Sequence, residues 1–295
     1  MRIVLAGALG EVGRSLHAAL TARGHEVDVT SSRAPIAGKP EVLALDEVTG
    51  LVDAGQIDAL VHAGGPGDHR EIARDVPVWS QQLADVCSEI PAILISTTRV
   101  LEGYEQAVAE DSLGKPLTEY ARANTEHEQL WLTQPRAQVL RLVNYLCIPN
   151  GPESPQTKLL PWSLLLEGWS TGEIVVRSGA DKAKEFIDAE DVVRAVEALI
   201  RQPAPERVVV AGPGAQMSMQ TLVEACVLAC SLAGRSGVGA SFGNETGGSQ
   251  WSIAPGWLVE QGWASNLTSD RMTEEMTGWL VEWDSTIPHN GRDRG

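Results

Sequence analysis

Arg2-Ile-Val-Leu-Ala-Gly7-Ala-Leu-Gly10-Glu-Val-Gly13 is the stretch that decides the fold. An apolar run reads as a buried strand and ends in three glycines spaced three apart. A helix follows, marked by Val12, Leu16, Ala19 and Leu20 at helical spacing, with Arg23 in its last turn and Gly24 as its stop. The next run, 26–30, reads as a strand again. A strand, a glycine turn, a helix and a second strand make the unit that holds a dinucleotide. The backbone around Gly7, Leu9, Gly10, Glu11, Val12 and Gly13 can approach a pyrophosphate there, at the positive end of the helix dipole. Glycine-rich turns are common, so the flanking strand and helix carry this inference more than the glycines do.

Working outward, strand-like runs are predicted at 3–6, 27–30, 42–45, 59–63, 93–96 and 139–143, with helical patterns between them. That alternation predicts an α/β fold, a doubly wound parallel sheet of the Rossmann type, with ligands beyond the carboxyl ends of its strands. After Asn144 the texture becomes Pro- and Gly-punctuated. The expected division is a dinucleotide-binding domain over 1–150 and a smaller substrate-binding lobe over 151–295, with segments returning to the Rossmann core. Trp162, Trp169, Trp251, Trp257, Trp263, Trp279 and Trp283 fall in the second part, as core or as pocket lining. The glycine-rich stretch 234–248 reads as a mobile loop.

The chain has 295 residues and a formal net charge of -16, which argues against nucleic acid or an anionic membrane as a partner and otherwise reads as a solubility feature. Cys87, Cys147, Cys226 and Cys230 show no zinc or disulfide spacing, and buried free thiols are expected, with no metal. A strand from residue 2, followed by Glu11 and Arg14, does not resemble a signal peptide. The longest apolar stretch, 159–169, is too short to span a bilayer. A cytoplasmic setting is expected.

With these elements placed, the chain resembles the extended short-chain dehydrogenase/reductase family, which includes sugar-nucleotide epimerases and dehydratases. The marks are Gly7-x-x-Gly10-x-x-Gly13, Leu45-Asp46, Val61-His-Ala-Gly64, Ile95-Ser-Thr97, Tyr120 with Glu128 eight residues on, Leu140-Arg-Leu-Val-Asn144, and Glu185-Phe-Ile-Asp-Ala-Glu-Asp191. Each is weak alone; their order and spacing are specific. The resemblance implies that Asp46 lies near the adenine, that Ala63 and Gly64 pack along the cofactor, and that Asn144 helps to hold the substrate. Asp46 also reads as a turn-initiating residue, and Asn144 as a strand-end cap. Asp191 is expected to order the fold.

At the end of the second strand, Ser31-Ser32-Arg33 offers hydroxyls and a guanidinium where an acidic side chain would select NAD. NADP is therefore the expected cofactor, with NAD as the other candidate and an ordinary polar loop as the alternative. The run Gly64-Gly65-Pro66-Gly67 lets the backbone approach nicotinamide or substrate, or forms a plain surface turn.

The family's working group is a Ser or Thr, a Tyr, and a Lys four residues after the Tyr. Thr97 and Tyr120 occupy matching places, but the Lys position holds Asn124, which carries no charge to stabilise a tyrosinate. Asn124 can still hydrogen-bond ribose. Arg122 projects to the other side of the helix, and His127, two turns along, is not well placed to substitute. Arg99 either swings into the site or stays solvated. His62 is expected to be structural, and His69 lies in a loop. In similar proteins the Tyr-bearing helix often builds a homodimer; here Leu117, Ala121, Leu130 and Trp131 are contact candidates, and burial against the chain's own sheet explains some of them equally well.

The expected function is an NADP-dependent oxidoreductase or epimerase-type enzyme acting on a carbonyl or secondary alcohol of a small metabolite. The alternatives are a cofactor-binding protein without hydride chemistry and a non-redox lyase, isomerase or cyclase.

Overall fold

In the computed structural model of the chain, residues 1–32, 41–65, 76–212, 215–245, 253–254 and 256–287 are described. They divide into two compact units. The first comprises Met1–Val143, Asp188–Pro213 and Ser249–Ala264, and the second Asn144–Ile187, Gly214–Gly248 and Ser265–Gly295.

As far as residue 143 the elements are β1 (Arg2–Ala6), α1 (Glu11–Ala22), β2 (Glu26–Thr30), β3 (Val42–Leu43), α2 (Leu45–Asp53), β4 (Ala59–His62), α3 (Val76–Val86), β5 (Ala92–Thr97), α4 (Glu119–Leu132) and β6 (Ala137–Leu142). Next come β7 (Asn144–Tyr145), α5 (Trp162–Thr171), β8 (Glu173–Ser178), β9 (Ala183–Ile187), α6 (Ala189–Arg201) and β10 (Val208–Ala211). The remainder are β11 (Ala215–Ser218), α7 (Met219–Leu232), β12 (Gly239–Glu245), α8 (Trp257–Glu260) and α9 (Ser269–Trp283).

The first unit is built on a parallel sheet ordered β10-β6-β5-β4-β1-β2-β3. The order reverses at β1, the switch point at which doubly wound sheets bind ligands. The central strands are largely apolar because helices cover both faces; β4 and β6 are buried at every residue. Beyond the six predicted strands the sheet has a seventh, β10, whose Val208-Val-Val-Ala run is too short for periodicity to reveal. The third strand ends at Leu43, two residues sooner than expected. Glu47 accepts a hydrogen bond from the Ala44 amide at 2.7 Å, so the helix begins at Leu45.

The helix after the glycine turn ends as its sequence indicates. The Gly24 amide donates to Thr21 and that of His25 to Leu20, with Gly24 at φ 82°. Past its end, Arg23 donates through Nε and Nη2 to Glu197 on α6 at 2.8 and 2.7 Å, and His25 Nε2 lies 2.8 Å from the same carboxylate. On α6, Asp188 caps the helix through the Asp191 amide, and Asp191 is fully buried against Arg194, the structural role expected of it.

The second unit pairs a sheet ordered β11-β9-β7 with the parallel ribbon β12-β8, around a core of Trp162, Trp169, Phe186, Leu222, Met276 and Trp279. The Trp162 and Trp279 rings lie 5.5 Å apart. Trp283 packs partly against this core, while Trp257 and Trp263 are buried in the first unit. The tryptophans in the described residues are therefore core-forming; Trp251 lies outside them. The stretch 234–248 is not wholly a loop. Residues 239–245 form β12, because the main-chain ladder to β8 orders them and β8 is seated on the core through Ile174 and Val176.

Candidate functional site

The residues singled out in the first unit gather at the carboxyl ends of β1, β2, β4 and β5. Gly7 leaves β1 at φ 83°, its amide bonded to Thr30 O at the end of β2. A β-carbon on Gly7 would sit 2.7 Å from Gly64 Cα, so two backbones cross in contact where β1 and β4 end. A β-carbon on Gly13 would sit 2.7 Å from Ala8 Cα, which lets α1 begin directly against the turn. Gly10 caps α1 with no side-chain hydrogen bond, leaving the first-turn amides beyond Glu11 without a capping side chain. Leu9, Gly10, Glu11 and Val12 are part-exposed along this turn. Such a cradle fits the pyrophosphate of a dinucleotide.

Ser31 is part-exposed and Ser32 exposed just after β2, whereas Arg33 lies outside the described residues, as does His69. Ala63, Gly64 and Gly65 follow β4, and Ala63 N donates to Ala6 O at 2.9 Å. Asp46 is exposed in the first turn of α2, a helix-start position. Asn144 belongs to the second unit, where its Nδ2 donates to Glu185 O at 2.8 Å.

Thr97 ends β5, and Tyr120 lies near the start of α4, whose N-cap Thr118 accepts from the Ala121 amide at 3.2 Å. Burial raises the Tyr120 pKa above its ordinary 10.0; a hydrogen bond with Thr97, the charge of Arg99 and a smaller contribution from Asn124 oppose it without overcoming it. Asn124 is buried, and its Nδ2 donates to the Tyr120 main-chain carbonyl at 2.8 Å. The residue at the lysine position is thus bound back to its own helix.

One helix face decides the depth of the site. Asn124, His127 and Trp131 recur along α4 and point inward, while Arg122 pairs with Glu119 on the exposed side. His127 Nε2 lies 2.6 Å from Ser80 Oγ, which also contacts His62 Nε2 at 3.2 Å and accepts from Trp131 Nε1 at 2.8 Å. Ser80 has one proton to give, so one imidazole accepts and the other donates. Burial, and then the neighbouring His127, hold His62 well below 6.5; burial lowers His127 to about 4. His127 therefore supplies no charge to replace a lysine, and His62 has the structural place expected of it.

These neutral rings make stability pH-dependent. As pH falls below about 6.5, the unfolded chain binds protons at both imidazoles and the folded chain does not, so stability is lost on acidification. In His127→Gln one of these protons disappears. Urea unfolding should then show that the wild-type advantage over the variant at about pH 7.5 shrinks by about 2 kcal/mol at about pH 5. An unchanged difference would mean that His127 is charged in the folded chain.

Behind the same helix, Glu128 and Arg141 form a buried pair at 2.7 Å, with Ser96 Oγ donating to Glu128 at 2.6 Å. This explains the spacing of Tyr120 from Glu128 and the Arg in Leu140-Arg-Leu. Ala121 and Trp131 are fully buried inside the chain, so they pack on its own sheet; Leu117 is exposed and Leu130 partly buried. Sequence reasoning missed Ser80 and Glu102. Nothing marked Ser80, but the spacing of Arg99 and Glu102 was a usable signal for an ion pair. All four cysteines are buried and free. Among the described residues no helix is long and apolar enough to cross a membrane.

No curated protein sequence matches the chain. Solved structures do. MoeE5 in complex with UDP-glucose and NAD is 18% identical over 96% of this chain and 99% of its own, with a TM-score of 0.67. TunA, an NAD dependent NDP-hexosamine 5,6-dehydratase involved in tunicamycin biosynthesis, is 20% identical over 95% and 98%, at 0.66. The UDP-N-acetylglucosamine 4-epimerase from Bacillus cereus is 16% identical over 96% and 99%, at 0.68. These likenesses show the fold. Residues 3–212, which hold the glycine crossing and the Thr97, Tyr120 and Asn124 positions, match a family model, and by that match the chain belongs to the NAD dependent epimerase/dehydratase family.

Proposed function

We propose that the chain is a nicotinamide-dependent enzyme of oxidoreductase or epimerase type that acts on a carbonyl or secondary alcohol of a sugar nucleotide, with NADP as its preferred cofactor. The observation that carries this reading is the Gly7–Gly64 crossing at the carboxyl edge of the sheet, in the same unit as Thr97 and Tyr120. The structures it resembles include complexes with UDP-sugars and NAD, which supports the substrate class.

Gly7, Gly10 and Gly13 would cradle the pyrophosphate, Ala63, Gly64 and Gly65 would line the dinucleotide, and Asp46 would lie towards the adenine. Ser31, Ser32 and Arg33 would take a 2′-phosphate: β2 ends at Thr30 and Ser31-Ser32-Arg33 follows, with no carboxylate in it to repel the phosphate. When bound, the nicotinamide supplies the hydride chemistry. Tyr120 moves the proton to or from the substrate oxygen, Thr97 orients that oxygen, and Asn124 fixes the helix that carries the tyrosine. Asn144, on the second unit, is assigned to the substrate.

NADPH and NADH titrations should give saturable binding, with NADPH tighter by about tenfold, the worth of one hydrogen bond to a charged group. Absence of binding by either nucleotide would overturn the reading. Asn124 favours a second reading, a protein that binds the nucleotide but has lost hydride transfer. That reading gains if NADPH binds and UDP-sugars give neither a change in nicotinamide absorbance nor an altered sugar nucleotide.

A further inference from the structure

Asn124 leaves the Tyr120 phenol without the charge that a lysine would bring, and the other basic groups of α4 do not replace it. Arg122 is paired outward with Glu119, and His127 is neutral. Arg99 is different. It follows Thr97 by two residues in a short 3-10 turn, and its amide donates to Thr97 Oγ1 at 3.2 Å.

Its guanidinium is held in place. Nε donates to Glu102 Oε2 at 2.8 Å. Glu102 Oε1 accepts from Leu117 N at 3.2 Å, Thr118 N at 2.9 Å and Thr118 Oγ1 at 2.7 Å. Thr118 is the N-cap of α4, two residues before Tyr120. An exposed Arg–Glu pair ordinarily contributes little. Here, however, the Glu102 side chain is only 11% exposed and joins Arg99 to the helix end that presents the phenol. Burial works against the Glu102 carboxylate, but bonds from Thr118 and Arg99 outweigh it and lower its pKa.

We propose that Arg99 is the cation of this site: it acts through Tyr120 by stabilising negative charge on the phenol oxygen, and Glu102 holds it there. The inference deepens the proposed function, since it rests on Tyr120 as the proton-transferring group. When the substrate oxygen takes the proton, the Tyr120 O–H bond breaks, an O–H bond forms on the substrate, and the phenol oxygen keeps the electron pair. The Arg99 charge does act on the phenol and favours its ionised form. Of the other charges nearby, Glu119 and Arg122 pair with each other on the outer face and Glu102 is directed at the helix N-terminus. Thr97 and Asn124 are uncharged.

The test uses the full chain labelled with 3-fluorotyrosine, whose lowered phenol pKa brings titration into a milder range. The chain has three tyrosines, and Tyr120→Phe assigns the fluorine signal of interest. Arg99→Met should raise the Tyr120 midpoint by about one pH unit. Arg99→Lys should restore most of it, Glu102→Gln should give a partial rise, and Arg122→Met should leave it in place. With Asn124→Lys the Arg99→Met shift should shrink. An unmoved midpoint in folded Arg99→Met, checked by circular dichroism, overturns the proposal, as does an equal shift from Arg122→Met. NADPH titration of the same samples separates the two readings. Binding with no shift removes Arg99 alone, whereas a shift without binding removes the cofactor reading and leaves the electrostatic one.

Discussion

Tyr120→Phe is expected to lower turnover by about two to four orders of magnitude, the usual worth of a positioned proton donor, while nucleotide affinity stays within about threefold. Phenylalanine keeps the ring in its half-buried seat and α4 keeps its N-cap at Thr118 and its inward face of Asn124, His127 and Trp131, so folding should survive. Only the oxygen beside Thr97 is removed. Because burial holds the phenol protonated at neutral pH, Tyr120 begins the cycle as an acid, and in the wild type the rate should fall only at high pH, where the phenol ionises. Steady-state rates with keto-sugar nucleotides and NADPH, beside a binding isotherm, check both parts. Turnover equal to the wild type would show that the proton comes from elsewhere.

The second large effect lies at the glycine crossing. Gly7→Ala should destabilise the chain by about 2–5 kcal/mol, since the left-handed backbone costs an alanine about 1–2 kcal/mol and forced contact with backbone adds about 1–3 kcal/mol. The contact cannot be relieved by rotating a side chain, because the atoms met are the main chain of Ala63 and Gly64. Gly13→Ala meets the main chain of Gly7 and Ala8 and should also be costly, and both should weaken NADPH binding. Gly50→Ala is the contrast. It lies exposed in α2 with open space around it, and should stabilise by about 0.5–1 kcal/mol. Urea midpoints for the three variants test the pattern, and a Gly7→Ala chain as stable as the wild type would refute the crossing.

Much of the fold could be read from local pattern. Apolar strands alternating with helices of 3.6-residue period specify a parallel sheet, and Gly24 marks a helix end through chemistry confined to a few neighbours. The glycine turn was equally legible, as its requirement is one of backbone conformation. What escaped depends on distant partners. β10 is four residues long and is a strand because β6 lies beside it. β12 is rich in glycine and is a strand because β8 is there to pair with it.

The site divides in the same way. The glycine turn at Gly7, Gly10 and Gly13 was read from spacing along one segment, and the resemblance to a family supplied the places expected for Thr97 and Tyr120 and the exchange of lysine for Asn124. Whether a charge remains beside the phenol could not be decided there, because the sequence leaves open whether Arg99 enters the site or stays solvated. Tertiary structure decided it. Burial against Ser80 and His62 keeps His127 neutral, whereas Glu102 ties an exposed Arg99 to the N-terminus of the tyrosine's helix. The physical reason is that protonation and charge placement are set by desolvation and by partners from other segments, and neither exists until the chain has folded.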